Sequence, residues 1–173
     1  SGLSNWEGPK LLICGDLHHG PTPLKTLSSY LKREFHDAVL LSFNPMLLEV
    51  VRERLSVPVH SMPPGFFRYP VRKPNPTPDL CLVHVGSLGN IHPRRRQLVE
   101  ALLERQKIPF FHTTTETPDQ AADIYNSSAL VLNVPLNNDL NHRFFEIMAA
   151  ASRQVVFGDQ QLLGPHQNFA NRP

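Results

Sequence analysis

Short apolar runs alternate with segments of helical periodicity along most of the chain, and this alternation is the strongest constraint on its fold. The apolar runs have the length of buried strands and are Lys10–Cys14, Ala38–Phe43, Val57–Ser61, Leu80–Val85, Ile108–Phe111, Ala129–Val134 and Gln154–Phe157. The helical segments are Pro23–Phe35, Pro45–Leu55, Pro93–Gln106, Pro118–Ser127 and Asn141–Ser152. Because strands that alternate with helices build parallel sheets, this order predicts an α/β fold.

A proline-rich stretch divides the alternation into two parts. Arg68–Asp79 has almost no apolar periodicity and contains four of the 17 prolines, which is typical of a linker. We therefore predict a first lobe over residues 1–67, an interlobe linker over 68–79 and a second lobe over 80–173. A chain of 173 residues is long enough for two small lobes.

Composition and charge argue against several classes of partner. A formal net charge of +2 draws the chain toward neither nucleic acid nor membrane, and the basic run Arg94–Arg96 is too short for a nucleic-acid arm. No apolar stretch reaches the length of a membrane-spanning helix, and no signal peptide precedes the first strand. Cys14 and Cys81 lie in apolar runs without companion ligands, which indicates buried, reduced thiols. We therefore expect a cytoplasmic protein with no transmembrane segment and no nucleic-acid partner.

The candidate binding segments follow from the predicted topology. Parallel sheets bind ligands beyond the carboxyl ends of their strands, and amides that open the following helix favour an anion there. The segments in such positions are Gly15–Gly20, Pro63–Phe66, Gly86–His92, His112–Thr115 and Pro135–Arg143. The sequence therefore predicts that phosphate or another anion is held at one or more of these strand ends.

The pair Arg143 and Glu146 opens the last predicted helix. A carboxylate one turn into a helix offers two acceptor oxygens to a vicinal diol. A nearby guanidinium forms bidentate contacts with phosphate. On the residues alone, two solvated charges near a helix start are the simpler explanation.

The segment from Asn133 to Ala151, NVPLNNDLNHRFFEIMAAA, resembles the donor-site segment of group 1 glycosyltransferases. It is more similar still to their bacterial branch related to spore-maturation glycosyltransferases, where an Asn-rich strand end leads to Arg-x-Phe-Glu and a helix of small residues. The resemblance extends in order and spacing over about Lys10 to Gly158. It implies the GT-B architecture, in which two Rossmann-like lobes with parallel sheets face each other across a cleft. Such enzymes are about twice as long, so we expect the N-terminal lobe to be incomplete.

The resemblance also implies roles for individual residues. Glu146 accepts hydrogen bonds from the donor ribose, and Asn141, His142 and Arg143 surround the diphosphate. The predicted donor-site residues are Gly86, Ser87, Arg94, His112, Asn138, Asn141, His142, Arg143 and Glu146. Asp16 and His18, in the acceptor-side lobe, are the candidate catalytic residues. The expected substrate is a nucleotide-diphosphate sugar, with no metal or other cofactor. The acceptor is left open as a glycan, lipid or protein, and the resemblance favours retention.

Two departures from the family pattern support a non-catalytic alternative. Many relatives have a glutamate eight positions before the ribose glutamate, where this chain has Asn138, and an amide cannot stabilise developing positive charge as a carboxylate does. Relatives also often have glycine where this chain has Ala151. A degenerate domain that binds nucleotide sugar without turnover is therefore the first alternative.

The loop after the first strand supports a second alternative. Asp16 and His18 have the Asp-x-His spacing of metallophosphoesterases, and Gly89–His92 loosely resembles their Gly-Asn-His-Asp motif. A two-metal phosphoesterase also needs a Gly-Asp pair between these segments, and the chain has none there. This alternative therefore lacks part of its ligand set.

Overall fold

The computed structural model describes residues 2–15, 17, 22–42, 48–62, 67–89, 93–135 and 141–157. The chain divides into two compact units, residues 1–67 and 68–173, which are described separately. Across the described residues, five α-helices accompany two parallel sheets of three and four strands. The predicted α/β fold with Rossmann-like parallel sheets is therefore confirmed at this level.

Unit 1 is a three-stranded parallel sheet with two helices. Its elements are a 3-10 helix Gly2–Asn5, β1 Leu11–Cys14, α1 Pro23–Arg33, β2 Ala38–Ser42, α2 Leu48–Arg54 and β3 Val59–Met62. The strand order is β1-β2-β3, and the register aligns Leu12, Val39 and Val59 across the sheet. These side chains pack with Leu27 of α1 and Val51 of α2 in one apolar cluster, so both helices bury the same sheet face.

Unit 2 is a four-stranded parallel sheet with three helices. Its elements are β4 Leu80–Val85, α3 Pro93–Arg105, β5 Phe110–Thr113, α4 Pro118–Asn126, β6 Ser128–Asn133, α5 His142–Ala149 and β7 Gln154–Val156. The strand order is β5-β4-β6-β7, so the chain moves to one side of β4 and then returns to the other. In open α/β sheets the crevice at such a reversal, here between β4 and β6, is the usual ligand site.

Alternating side chains of β4 give unit 2 a core on each face of its sheet. Leu82 packs with Val99 of α3, whereas Val83 packs with Tyr125 of α4 and Ile147 of α5. This is the period-two pattern of a strand that is buried on both faces. Thr117 caps α4, because its hydroxyl accepts a hydrogen bond from the Gln120 amide.

The proline-rich segment is attached to unit 2 and is not a free tether. The Arg72 amide donates to the Ala149 carbonyl at 3.0 Å. The Arg72 guanidinium pairs with Asp119 at 2.8 Å and with Asp123 at 2.6 Å. The Asn126 side chain donates to the Lys73 carbonyl at 2.8 Å. These polar contacts hold the predicted linker against α4 and α5. The apolar periodicity of the sequence does not reveal such contacts.

Two sequence-based expectations need correction. The fifth strand spans Phe110–Thr113, two residues later than predicted, because Pro109 has no amide hydrogen to donate to a ladder. This shift places His112 within the strand.

The expectation that both cysteines are buried is wrong. Cys81 is exposed and Cys14 is half-buried, and neither forms a disulfide. Within the described ranges, no helix combines the length and apolar character needed to cross a bilayer.

Helix α5 ends in a Schellman motif. The Ala151 amide donates to the Met148 carbonyl at 3.0 Å, and the Ser152 amide donates to the Ile147 carbonyl at 3.1 Å. This geometry requires a left-handed residue, and Ala151 has φ of +56°. Glycine adopts such a φ without steric cost, so this position favours glycine over the alanine that occupies it.

We therefore predict that Ala151→Gly stabilises unit 2. The substitution removes the left-handed strain of alanine, and we expect the free energy of unfolding to rise by about 1 kcal/mol. Chemical denaturation of the wild type and the variant measures this change. Ala149→Gly, within the last turn of α5, is the matched control and is expected to destabilise by roughly 0.5–1 kcal/mol. Equal signs for the two substitutions would contradict the prediction.

Candidate functional site

The candidate site lies where β4 and β6 end, at the reversal of strand order in unit 2. Gly86 directly follows β4, and Asn133 is the last residue of β6. Helix α5 begins at His142. The described residues that carry the site therefore come from two adjacent strand ends and the first turn of one helix.

Paired amide side chains tie the end of β6 to the start of α5. The Asn133 and Asn141 side chains donate to each other at 3.1 and 3.0 Å. The Asn141 side-chain oxygen also accepts from the Phe144 amide at 3.1 Å, which caps the helix. Asn141 was predicted as a diphosphate ligand, but its side chain is already used to position the helix opening.

Arg143, Tyr125 and Glu146 form a hydrogen-bonded group beneath the opening of α5. Tyr125 is 1% exposed, and its hydroxyl interacts with both charged side chains. Burial raises the pKa of Glu146, while Arg143 and the Tyr125 hydroxyl partly oppose this shift. The buried Tyr125 hydroxyl therefore helps to position the two residues on which the donor-site hypothesis depends.

The Arg143 side chain is half-buried, and two nitrogen atoms of its guanidinium are shielded from solvent. Its Nε and Nη1 atoms have no hydrogen-bond partner among the described residues. Because a buried unpaired donor costs about 1–3 kcal/mol, and more when charged, this site is suited to an acceptor that the protein itself does not provide. A phosphate oxygen has the charge and the lone pairs to fill this role.

Gly86 makes room for this guanidinium. A Cβ atom built at Gly86 would overlap Arg143 Nη2 and would lie 3.1 Å from its Cζ. Gly86 also has φ of +136°, a conformation that residues with side chains rarely adopt. The turn after β4 therefore requires glycine both for its backbone conformation and for close approach by Arg143.

We predict that Gly86→Ala destabilises the protein by about 1–3 kcal/mol, because it adds backbone strain and displaces Arg143. Thermal and chemical denaturation measure this loss. Gly15→Ala is the matched control, since a Cβ there would make only an ordinary 3.6 Å contact with Ser42 Oγ. A loss at Gly86 no larger than the loss at Gly15 would count against the close approach.

A buried histidine pair lies on the α3 face of the sheet, one residue before the end of β4. His84 is 0% exposed, and its Nδ1 lies 3.1 Å from Nδ1 of His112 on β5. Burial lowers the pKa of His84 to about 3, with further lowering by Arg143, His112 and Arg95. His84 is therefore neutral at pH 7. His112 was a sequence-based candidate, whereas His84 was not.

Of the three consecutive arginines on α3, the structure places one at the strand ends. Arg95 is 7% exposed and donates from Nε and Nη2 to the Val134 carbonyl at 3.2 and 2.9 Å. Arg94, the residue chosen from the sequence, is exposed, and Arg96 pairs with Glu100 at 2.7 Å. Arg95 therefore adds positive charge beside the site and fixes the chain beyond β6.

Aromatic side chains cover the outer surface of the α5 opening. Tyr69 stacks on Phe145 with ring centroids 6.3 Å apart, and its hydroxyl contacts His142 Nδ1 at 3.2 Å. Burial and the charge of Glu146 raise the pKa of Tyr69 to about 12, so it remains protonated. His142, a predicted diphosphate neighbour, is exposed and already in contact with Tyr69.

The structure brings together some of the predicted site residues. Gly86 and Arg143 are in close approach, and Glu146 lies one turn further along α5. His112 contacts His84, two residues before Gly86. Ser87 is exposed just beyond β4. Asp16, His18 and Asn138 lie outside the described residues. Among the described residues, no three metal-ligating side chains are grouped closely enough to hold a metal ion.

A scan against models of known protein families matches none of them, and a search of curated proteins gives no match. The function is therefore argued from the chemistry of the site in unit 2 and from the motif that led to it.

Proposed function

We propose that the chain is a glycosyltransferase of the GT-B type, and that unit 2 binds its nucleotide-diphosphate sugar donor. The observation that carries this proposal is the half-buried Arg143 guanidinium beside Gly86 at the strand-order reversal, whose buried Nε and Nη1 atoms have no hydrogen-bond partner among the described residues. Phosphate groups commonly bind where such a crevice meets the start of a helix.

The second support is the position of Glu146, one helical turn after Arg143. Its pKa is raised, yet the interactions with Arg143 and Tyr125 favour the ionised form. An ionised carboxylate accepts hydrogen bonds from both hydroxyls of a ribose. Arg143 would therefore bind the diphosphate and Glu146, one turn later, the ribose, and these two groups are adjacent in a nucleoside diphosphate.

The reaction follows from the charge that develops on the donor. The bond between the anomeric carbon and the diphosphate oxygen breaks, and the electron pair leaves with the diphosphate. Arg143 stabilises that negative charge in a site where water is largely excluded, which is the protein's main contribution to such a step. The acceptor oxygen forms the new bond and loses its proton, for which Asp16 and His18 are the candidates from the sequence.

Binding and turnover measured on matched arginine variants test this function. We expect nucleoside diphosphates to bind the wild type, with Arg143→Gln weakening the affinity by about 10- to 100-fold, because it removes charge-assisted hydrogen bonds. Arg105→Gln is the matched control, since Arg105 is exposed at the last residue of α3. Release of nucleoside diphosphate from a panel of nucleotide sugars measures activity.

The results separate the possible outcomes. Equal affinities in the Arg143 and Arg105 variants would remove the basis for the donor site. Selective loss in the Arg143 variant, together with turnover of a donor sugar, would establish the transferase. Selective loss of affinity in the Arg143 variant, without turnover of any donor, would replace the transferase with the non-catalytic alternative: a degenerate domain that binds nucleotide sugar, as Asn138 suggested.

A further inference from the structure

The His84–His112 pair has a role that the proposed function does not use. Both side chains come from adjacent parallel strands in direct register. His84 is fully buried, and its Nε2 atom has no hydrogen-bond partner among the described residues. A buried polar atom of this kind requires a physical explanation.

The contacts of the two rings favour one assignment of the ring protons. His112 Nδ1 lies 3.2 Å from the His84 carbonyl oxygen, which can only accept, so a proton on His112 Nδ1 makes this contact a hydrogen bond. With that proton in place, His84 Nδ1, 3.1 Å from His112 Nδ1, faces it as an acceptor. A neutral His84 consequently carries its proton on Nε2, the atom without a partner.

Three buried nitrogen atoms of unit 2 lack a hydrogen-bond partner among the described residues: His84 Nε2, and Nε and Nη1 of Arg143. Arg143 approaches the chain two residues after His84, because a Cβ atom at Gly86 would overlap its Nη2 atom. Arg143 exerts the largest electrostatic effect on His84, and Arg95 contributes with the same sign, so the environment is electropositive. A set of buried donors in a positive field is complementary to an anion with several acceptor oxygens.

We propose that His84 is an anion ligand, whose Nε2–H donates to an oxygen of the phosphoryl group that Arg143 binds, with His112 holding the required tautomer. This inference rests on the proposed function for the identity of the anion as a diphosphate. The position of the donor rests on the strand register and on the histidine contacts alone. His84 is therefore a binding residue, and His112 is a positioning residue that acts through it.

Titration of the full chain with inorganic pyrophosphate, followed by calorimetry, tests the proposal. We expect His84→Leu to raise the dissociation constant by about 10- to 100-fold, because it removes a hydrogen bond to a charged group. His84→Gln, which retains an N–H donor, should recover part of that loss. His60→Leu, an exposed histidine on β3, is the control and should leave the constant unchanged.

Nitrogen-15 NMR of the histidine rings gives a second measurement that does not depend on a variant that folds. In the wild type we expect the Nε2–H tautomer for His84, and a shift of that resonance on addition of pyrophosphate. His112→Leu should permit the other tautomer and weaken binding, although it leaves His84 in place. A merely structural pair would give the tautomer without a response to the anion.

The outcomes distinguish this inference from the proposed function. Absence of pyrophosphate binding to the wild type, or unchanged binding in a folded His84→Leu variant with no shift of the Nε2 resonance, overturns the role of His84. If nucleoside diphosphates still bind and Arg143→Gln weakens them, the proposed function survives that failure. If His84 responds to pyrophosphate but no nucleotide sugar binds, the proposed function fails and the anion ligand stands.

Discussion

Replacing Glu146 with glutamine is expected to abolish selective binding of nucleoside diphosphates while making the unliganded protein more stable. Burial raises the pKa of Glu146, so the folded state holds its proton more tightly than the unfolded chain does. The stability contributed by protonated Glu146 is present below the unfolded pKa and is lost as pH rises through the folded value. Above its raised pKa the ionised carboxylate therefore costs stability, which a neutral amide of the same shape avoids.

The effect on binding has the opposite sign. At a ligand concentration 100 times its dissociation constant, a nucleoside diphosphate should stabilise the wild type by about 2.7 kcal/mol. Glutamine offers one acceptor oxygen in place of two, so most of the contribution of the ribose should disappear. Affinity for inorganic pyrophosphate, which has no ribose, should change little.

Thermal and chemical denaturation with and without ligand measure both effects. Glu104→Gln, an exposed position on α3, is the matched control and should change neither quantity appreciably. A purely structural Glu146 would make the variant less stable and leave the ligand shift intact. That combination would exclude Glu146 as the ribose ligand, whatever effect the Arg143 substitution has on binding.

The fold was largely predictable because its signal repeats along the chain. Each apolar run and each helical segment independently indicated α/β architecture, so an error in one boundary did not alter the class. The β5 boundary failed because Ile108 is apolar but precedes Pro109, and an apolar run does not reveal where the ladder begins. That local error mattered, since it hid the position of His112 within the strand.

The site was predictable where the residues are neighbours in sequence and not where they are neighbours only in space. Arg143 and Glu146 lie one helical turn apart, so their proximity follows from helix geometry. His84 and His112 meet only because β4 and β5 pair in a particular register. A histidine within an apolar strand otherwise has the appearance of an ordinary core position.

The choice among three adjacent arginines shows a similar limit. Composition and spacing placed a basic residue near the strand ends, but the rotational phase of α3 decides which side chain faces the sheet. That phase buries Arg95 against the Val134 carbonyl and directs Arg94 to solvent. Without the packing of α3 on Leu82 and Leu132, the sequence could not separate these alternatives.

Acidification is expected to destabilise the protein through His84 by roughly 4 kcal/mol between pH 6.5 and pH 3. The unfolded histidine takes up a proton as pH falls below 6.5, whereas the folded side chain stays neutral until its pKa of about 3. The unfolded state therefore binds more protons throughout this window, and stability rises with pH. About 3 kcal/mol of the contribution should already be lost at pH 4.

Carboxylates also titrate in this range, so the effect of His84 must be separated from theirs. The unfolding free energies of the wild type and of His84→Gln are therefore measured as a function of pH, and their difference gives the contribution of His84. The difference should decline steadily below pH 6.5, because glutamine has no proton to gain. His60→Gln, an exposed position on β3, should give a much shallower difference curve. Pyrophosphate should reduce the slope for the wild type, since an anion beside His84 offsets the cost of charging the ring. A flat difference curve would mean that His84 is hydrated in solution. His84 could then not act as a buried hydrogen-bond donor to an anion.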